Sequence, residues 1–276
     1  MTKKAYVIGS EAGKSLSPLI FNYWFQQSNI KAEYLPKEIE PKNFNKEIDL
    51  ILKDKEVCGF NVTTPYKEKI IKKLNSVDEH AQKIGAVNFV TKQGGLWVGK
   101  NTDWKGFIEP LQNSKKSRDV RRCILNKPII IGYGGAAKAI IYALQKQGIK
   151  EIKVFNRSYE KIKNLNSSPQ IKALKLYEIK EHLGGATLIV NTTPKNIFDD
   201  WGEKFKNHLI FDDSVMGYDI VYNPKETAFL SHFIRHKRTY GINMLVCQAA
   251  PCFEEWFDKK PTINKELYDL LEEHIS

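Results

Sequence analysis

Short apolar runs alternate with amphipathic stretches from one end of the chain to the other. Tyr6–Gly9 predicts a first strand. Ser17-Pro18 opens a helix through Ser28, with the serine as N-cap and the proline at the first helical position. Glu33–Ile39 predicts a second strand and Pro41–Lys53 a second helix. Val57–Val62 is a β-rich run that stops at Thr63-Thr64-Pro65, where a further helix is expected. Ala86–Val90 and Leu96–Val98 predict two more strands around a Gly94-Gly95 turn. Between Leu111 and Lys127 the pattern lapses: Asn113–Asp119 is polar and aperiodic, which fits an inter-domain surface segment or a helix end. Pro128–Gly132 is then apolar on both faces, as a central parallel strand is. Glu151–Phe155, Thr187–Val190 and Leu209–Asp212 follow as strand candidates, and Asn243–Asp258 and Thr262–Glu273 read as closing helices. Such alternation predicts an α/β protein.

Composition narrows the class. A chain of 276 residues gives a prior of two domains at about 150 residues each. Hydrophobic residues at 42% and charged ones at 27% suit a chain with a real core and exclude a collagen, a mucin-like stalk or a largely disordered polypeptide. No apolar run approaches the ~20 residues of a membrane span, and the N-terminal run is too short for a signal peptide core. A soluble, cytoplasmic protein with no membrane partner is expected.

The net charge of +11 invites a nucleic-acid reading. Only six of the 43 basic residues are Arg, however, and the lysines are dispersed among acids. Sites that read bases or phosphates favour the planar Arg fork. A Lys-rich solvated surface, with no nucleic-acid partner, is the simpler account. Cys58, Cys123, Cys247 and Cys252 form no C-x-x-C, and His232 and His236 lack a third ligand. Free thiols and no metal site are expected.

Two chemical features remain. Gly132-Tyr133-Gly134-Gly135-Ala136-Ala137 fits G-x-G-x-x-A between a strand and a helix. Gly132 allows the tight turn, Gly134 and the adjoining Gly135 and Ala136 bring backbone N–H groups to a pyrophosphate, and Ala137 keeps helix and strand close. An NAD site would carry an acid at the end of the next strand; here stand Asn156-Arg157-Ser158, with Lys161 one turn on. A cation there suits a 2′-phosphate, so NADP is the expected cofactor.

The second feature is a set of polar patches at strand ends: Ser15-Leu16-Ser17, Asn61–Lys67, Gly85–Asn88 and Asn101-Thr102-Asp103. Ligands of open α/β sheets bind beyond the carboxyl ends of strands. Singly, each patch has a plain structural account as a helix cap or a loop hydrogen bond. Lys67 does not. If Thr64 caps a helix, Lys67 sits in its first turn, where the macrodipole disfavours a cation and would lower its pKa. Asp103 is its natural carboxylate partner.

These patches, in this order, resemble the shikimate dehydrogenase family along nearly the whole chain. The match continues through the Gly132 loop, Asn156-Arg157, Tyr222…Thr227, and Gly241…Met244-Leu245…Gln248-Ala249-Ala250 before Phe253 and Trp256. The resemblance implies reversible NADPH-dependent reduction of 3-dehydroshikimate to shikimate in aromatic amino-acid biosynthesis. It implies Lys67 and Asp103 as the catalytic pair. Ser15 and Ser17 with Tyr222 would bind the substrate carboxylate, and Thr63, Asn88 and Gln248 its ring hydroxyls. Gly241 and Met244 would lie with the cofactor. It also implies two α/β lobes around a cleft: a substrate domain of residues 1–105 plus 241–276, including returning C-terminal helices, and a Rossmann-like NADP domain of residues 106–240. A small-molecule substrate and a monomer or homodimer complete the expectation.

Four places depart from the family pattern: Phe21, Phe89, Asn243 and the pair Lys195-Asn196. The first two are expected to alter the substrate pocket and the last two the nicotinamide contacts. Rival readings are a dehydrogenase of quinate or another cyclohexane carboxylate, a methylene-tetrahydrofolate dehydrogenase, and a non-catalytic family member. The serines at 15 and 17 with Gln248 speak against the folate enzyme, and retention of Lys67 and Asp103 against a non-catalytic role.

Overall fold

The computed structural model describes residues 2–112, 125–193 and 211–275. The chain divides into two compact units, Met1–Gly106 with Leu245–His274, and Phe107–Met244 with the last two residues. Among the described residues no helix is long and apolar enough to cross a membrane.

The first unit holds β1 (Lys3–Gly9), β2 (Ala32–Glu38), β3 (Val57–Val62), β4 (Ser76–Val77), β5 (Phe89–Gln93) and β6 (Leu96–Lys100) in the order β2-β1-β3-β5-β6-β4. β1, β2 and β3 are parallel, while β5 pairs antiparallel with both β3 and β6. One core joins Phe44, Ile48, Phe60, Tyr66 and Trp97. A second set of ring contacts joins Phe21, Trp24 and Phe25 on helix Ser17–Ser28 to Phe253, Trp256 and Phe257 on helix Gly241–Phe257. That contact brings the C-terminal helix into the first unit. Gly59 makes the fit possible: a Cβ there would stand 1.9 Å from Trp256 Nε1, which donates to the Val90 carbonyl.

The second unit is a wholly parallel sheet of β7 (Pro128–Ile131), β8 (Ile152–Asn156), β9 (Ile171–Lys175), β10 (Leu188–Asn191), β11 (Met216–Asp219) and β12 (Arg238–Thr239), in the order β12-β11-β10-β7-β8-β9. β7 and β10 are buried at every position, as strands covered on both faces must be. Of the strand expected at Leu209–Asp212, positions 209 and 210 lie outside the described residues and 211 and 212 are not strand; the next described strand starts at Met216. Asn113–Asp119 also lies outside the described residues.

Candidate active site

In the first unit the chain leaves β1 at Gly9 and reaches helix Ser17–Ser28. The Ser15 hydroxyl donates to Ser17 Oγ at 3.1 Å, and the Ser17 N–H donates to Ser15 Oγ at 3.2 Å. Ser17 is not the N-cap expected of it. Leu16 occupies that position, and no side chain caps the helix, so the two hydroxyls face each other.

Beyond β3 the expected helix is also absent. Residues 63–68 form turns with a cis Thr64–Pro65 bond, and only Lys69–Lys73 winds into a short 3-10 segment, whose N-cap is Glu68. Lys67 therefore precedes any helix, and the macrodipole argument does not apply to it. Its place is set otherwise. The Lys67 carbonyl accepts from the Val87 N–H at 2.7 Å, and Nζ donates to Asp103 Oδ2 at 2.6 Å. With side chains only 16% and 6% exposed, the pair is largely shielded from water. Thr63, between β3 and Lys67, donates its N–H to the Ile8 carbonyl at 2.9 Å.

Asp103 is the first residue of helix Asp103–Gln112, where the dipole favours a carboxylate. Its N–H donates to Asn101 Oδ1 at 3.0 Å, and Asn101 Nδ2 donates to the Ala86 carbonyl at 2.8 Å. The two carboxylate oxygens are divided: Oδ2 faces Lys67, and Oδ1 accepts from Asn88 Nδ2 at 2.8 Å. Asn88 Oδ1 accepts the Thr102 N–H at 2.7 Å, which fixes the amide's orientation. Gln248, from the C-terminal helix, presents Oε1 to Asn88 Nδ2 at 3.1 Å and donates from Nε2 to the Leu245 carbonyl at 2.9 Å. Lys67, Asn88, Asp103 and Gln248 thus form one hydrogen-bonded cluster.

Behind it lies a buried layer that the sequence did not reveal. The Tyr34 hydroxyl donates to Asn61 Oδ1 at 2.8 Å; Asn61 Nδ2 is 3.1 Å from the Asn88 carbonyl and 3.3 Å from Cys252 Sγ. Burial pushes the Cys252 thiol up to about 12 and the Tyr34 phenol well above its ordinary value. Asn61 gave a signal, as an amide in an otherwise apolar strand. Tyr34 and Cys252 gave none. Phe21 and Phe89 are core residues, 0% and 1% exposed. Phe21 stacks on Tyr34 at 3.9 Å, and Phe89 meets Trp256 edge-on at 5.1 Å. Both rings are thus packed among the aromatic side chains of the first unit.

The second unit carries the nucleotide loop at the carboxyl end of β7. Gly132 has φ +101°, and a Cβ there would stand 2.5 Å from Thr192 Oγ1. Around Gly134 nothing lies within 4 Å of a would-be Cβ. Helix Gly135–Lys146 follows with no acid in its first turn and no side-chain cap, and it opens on Gly135, Ala136 and Ala137. With no side-chain cap on these first-turn N–H groups among the described residues, the loop fits a dinucleotide pyrophosphate. At the end of β8, Arg157 and Ser158 are exposed, as is Lys161. Asn156 Nδ2 donates to the Ser158 carbonyl at 3.0 Å and shapes the turn. With no acid at that turn, NADP fits better than NAD.

Tyr222 is half-buried beyond β11. At the start of helix Gly241–Phe257, a Gly241 Cβ would stand 2.4 Å from the Ile220 carbonyl oxygen. Asn243 is half-buried and Met244 buried. Lys195-Asn196 lies outside the described residues.

Comparison with known proteins agrees with this geometry. Residues 7–90 match a family described as the shikimate dehydrogenase substrate binding domain, and residues 116–201 one described as shikimate / quinate 5-dehydrogenase. The chain is similar to the NADP(+) shikimate dehydrogenase of Caldicellulosiruptor saccharolyticus, at 36% identity over 98% of both chains. Among solved structures it resembles shikimate dehydrogenase from Aquifex aeolicus, with TM-score 0.78 and 30% identity over 98% of this chain and 97% of that one. The Thermus thermophilus enzyme, solved with NADP(H) and shikimate, gives TM-score 0.79 at 26% identity over 99% and 98%.

Proposed function

The chain belongs to the shikimate dehydrogenase family, and from that membership we propose how its own residues carry out the reaction. The enzyme reduces 3-dehydroshikimate to shikimate with NADPH, reversibly, as an oxidoreductase of aromatic amino-acid biosynthesis. Bound NADPH supplies the hydride for the substrate's C3 carbon. The chain must therefore deliver a proton to the C3 oxygen and hold the ring in place.

The observation that carries the assignment is the shielded 2.6 Å pair of Lys67 and Asp103, joined to an amide cluster. In reduction the Lys67 ammonium gives a proton to the oxygen as the carbonyl becomes an alcohol; in oxidation the amine takes it back. Asp103 steadies the ammonium, and Asn88 orients Asp103 from its other oxygen. Ser15 and Ser17 are the proposed carboxylate donors, and Tyr222 is proposed as a further carboxylate ligand. Thr63, Asn88 and Gln248 read ring hydroxyls, for which neutral donor–acceptor groups are suited. On the coenzyme side, the Gly132–Ala136 turn takes the pyrophosphate. Asn156, Arg157, Ser158 and Lys161 take the 2′-phosphate, and Gly241 and Met244 stand by the nicotinamide. We place the enzyme in the cytoplasm as a monomer or homodimer; the thiols of Cys58 and Cys252, which form no disulfide among the described residues, suit a reducing compartment.

The direct test is to mix purified protein with shikimate or quinate and NADP or NAD, and to follow reduced nicotinamide by absorbance. Turnover should be highest with shikimate and NADP. No turnover in that combination refutes the proposal.

A further inference from the structure

Both Asn88 N–H groups are taken up by protein acceptors, so Gln248, one of those acceptors, can serve a ligand only if the hydrogen it accepts finds another partner. Asn88 Nδ2 has two hydrogens but three acceptors within reach: Asp103 Oδ1 at 2.8 Å, Thr102 Oγ1 at 3.0 Å and Gln248 Oε1 at 3.1 Å. All of these side chains are buried. Asp103 holds one hydrogen through the shortest contact. The other can go to Gln248 or to Thr102. The Thr102 hydroxyl has acceptors of its own in Asn88 Oδ1 at 3.3 Å, Gln248 Oε1 at 3.5 Å and Cys252 Sγ at 3.6 Å, so it can accept from Asn88 and still donate.

We propose that Thr102 is a positioning residue, a standby acceptor that takes the second Asn88 hydrogen when the Gln248 carbonyl turns to a ring hydroxyl of the substrate. Without it, that turn would leave a buried amide hydrogen with no partner, a cost comparable to a lost hydrogen bond. Thr102 touches no reacting atom. It keeps the hydrogen-bond count balanced in both the free and the bound protein. The inference rests on the proposed reading of Gln248 as a hydroxyl ligand.

Thr102→Val keeps the shape and removes the hydroxyl; Thr102→Ser restores it. The valine variant should raise KM for shikimate about tenfold, with kcat and the KM for NADP within about twofold of the parent. Asp103 retains its own Asn88 hydrogen, so the chemical step is spared. The serine variant should behave as the parent. Gln248→Ala should raise the shikimate KM by itself, and Thr102→Val added to it should change KM no further, because no carbonyl is left to turn away. If Gln248→Ala leaves KM unchanged, the reading of Gln248 fails, and the standby role with it. If Gln248→Ala raises KM while Thr102→Val does not, the standby role alone is overturned. A serine variant as impaired as the valine one, or additive losses in the double variant, overturns it equally. Should the valine variant not fold, Thr102→Ala carries the same comparison.

Discussion

Removing the ammonium at position 67 should cost turnover far more than affinity. Lys67→Ala is expected to lower kcat by about 10²–10⁴-fold with a modest change in KM, because the interaction strengthens as the oxygen gains charge. Steady-state kinetics with shikimate and NADP check this, and comparable kcat in variant and parent would remove Lys67 from the mechanism. At the other ligand, Arg157→Ala should weaken NADP more than NAD, since only NADP offers the guanidinium a 2′-phosphate. Equal losses for the two coenzymes, measured by titration, would displace Arg157 from that role. The pairing of Lys67 with Asp103 was legible in the sequence, although the helix-dipole reason offered for Lys67 does not hold. Its oddity comes from a turn and a partner far along the chain, and local helix rules do not reach that far. Of the Tyr34–Asn61–Cys252 layer only Asn61 was legible, because a buried tyrosine or cysteine reads like any core residue until its partner is known.

At the scale of elements, Gly59 and Asp219 make separable demands. Gly59→Ala would push a methyl group into the Trp256 indole that seats the C-terminal helix. A loss of about 1–3 kcal/mol in denaturant unfolding is expected; unchanged stability would mean that the indole shifts freely. Asp219, at the end of β11, is fully buried. It accepts from Asn191 Nδ2 at 2.9 Å, the Val221 N–H at 3.0 Å and Thr227 Oγ1 at 2.7 Å. Desolvation outweighs these bonds and raises its pKa. The folded chain then holds this proton more tightly than the unfolded one, so the group's contribution falls as pH rises through the raised value. Asp219→Asn should abolish that slope, and the stability of the variant relative to the parent should climb as pH rises above the ordinary carboxylate range. A flat difference in urea titrations would refute it. The unbroken apolar run of β7 and the longer helix after it were readable in advance. β11 was not, because Met-Gly-Tyr-Asp carries two poor strand formers and owes its place to burial between neighbours.

For the whole molecule, the division of labour follows the chain. Lys67 and Asp103, proposed to handle the proton, belong to the first unit with Ser15, Ser17, Asn88 and Gln248, and the glycine turn and Arg157, proposed to hold the coenzyme's phosphates, to the second. Each ligand should therefore stabilise the protein on its own. Saturating NADP at about a hundred times its Kd is worth ~2.7 kcal/mol, and it should raise the melting temperature more than NAD at equal concentration. Equal shifts would contradict the preference for the phosphorylated coenzyme. Shikimate alone should also raise it. Because Lys67, Asp103, Asn88 and Gln248 already grip one another, the first unit needs no nucleotide to arrange them. A chain whose glycine turn had been ruined would keep its hold on the ring acid, and would act in the cell as a sponge for an intermediate it could no longer convert.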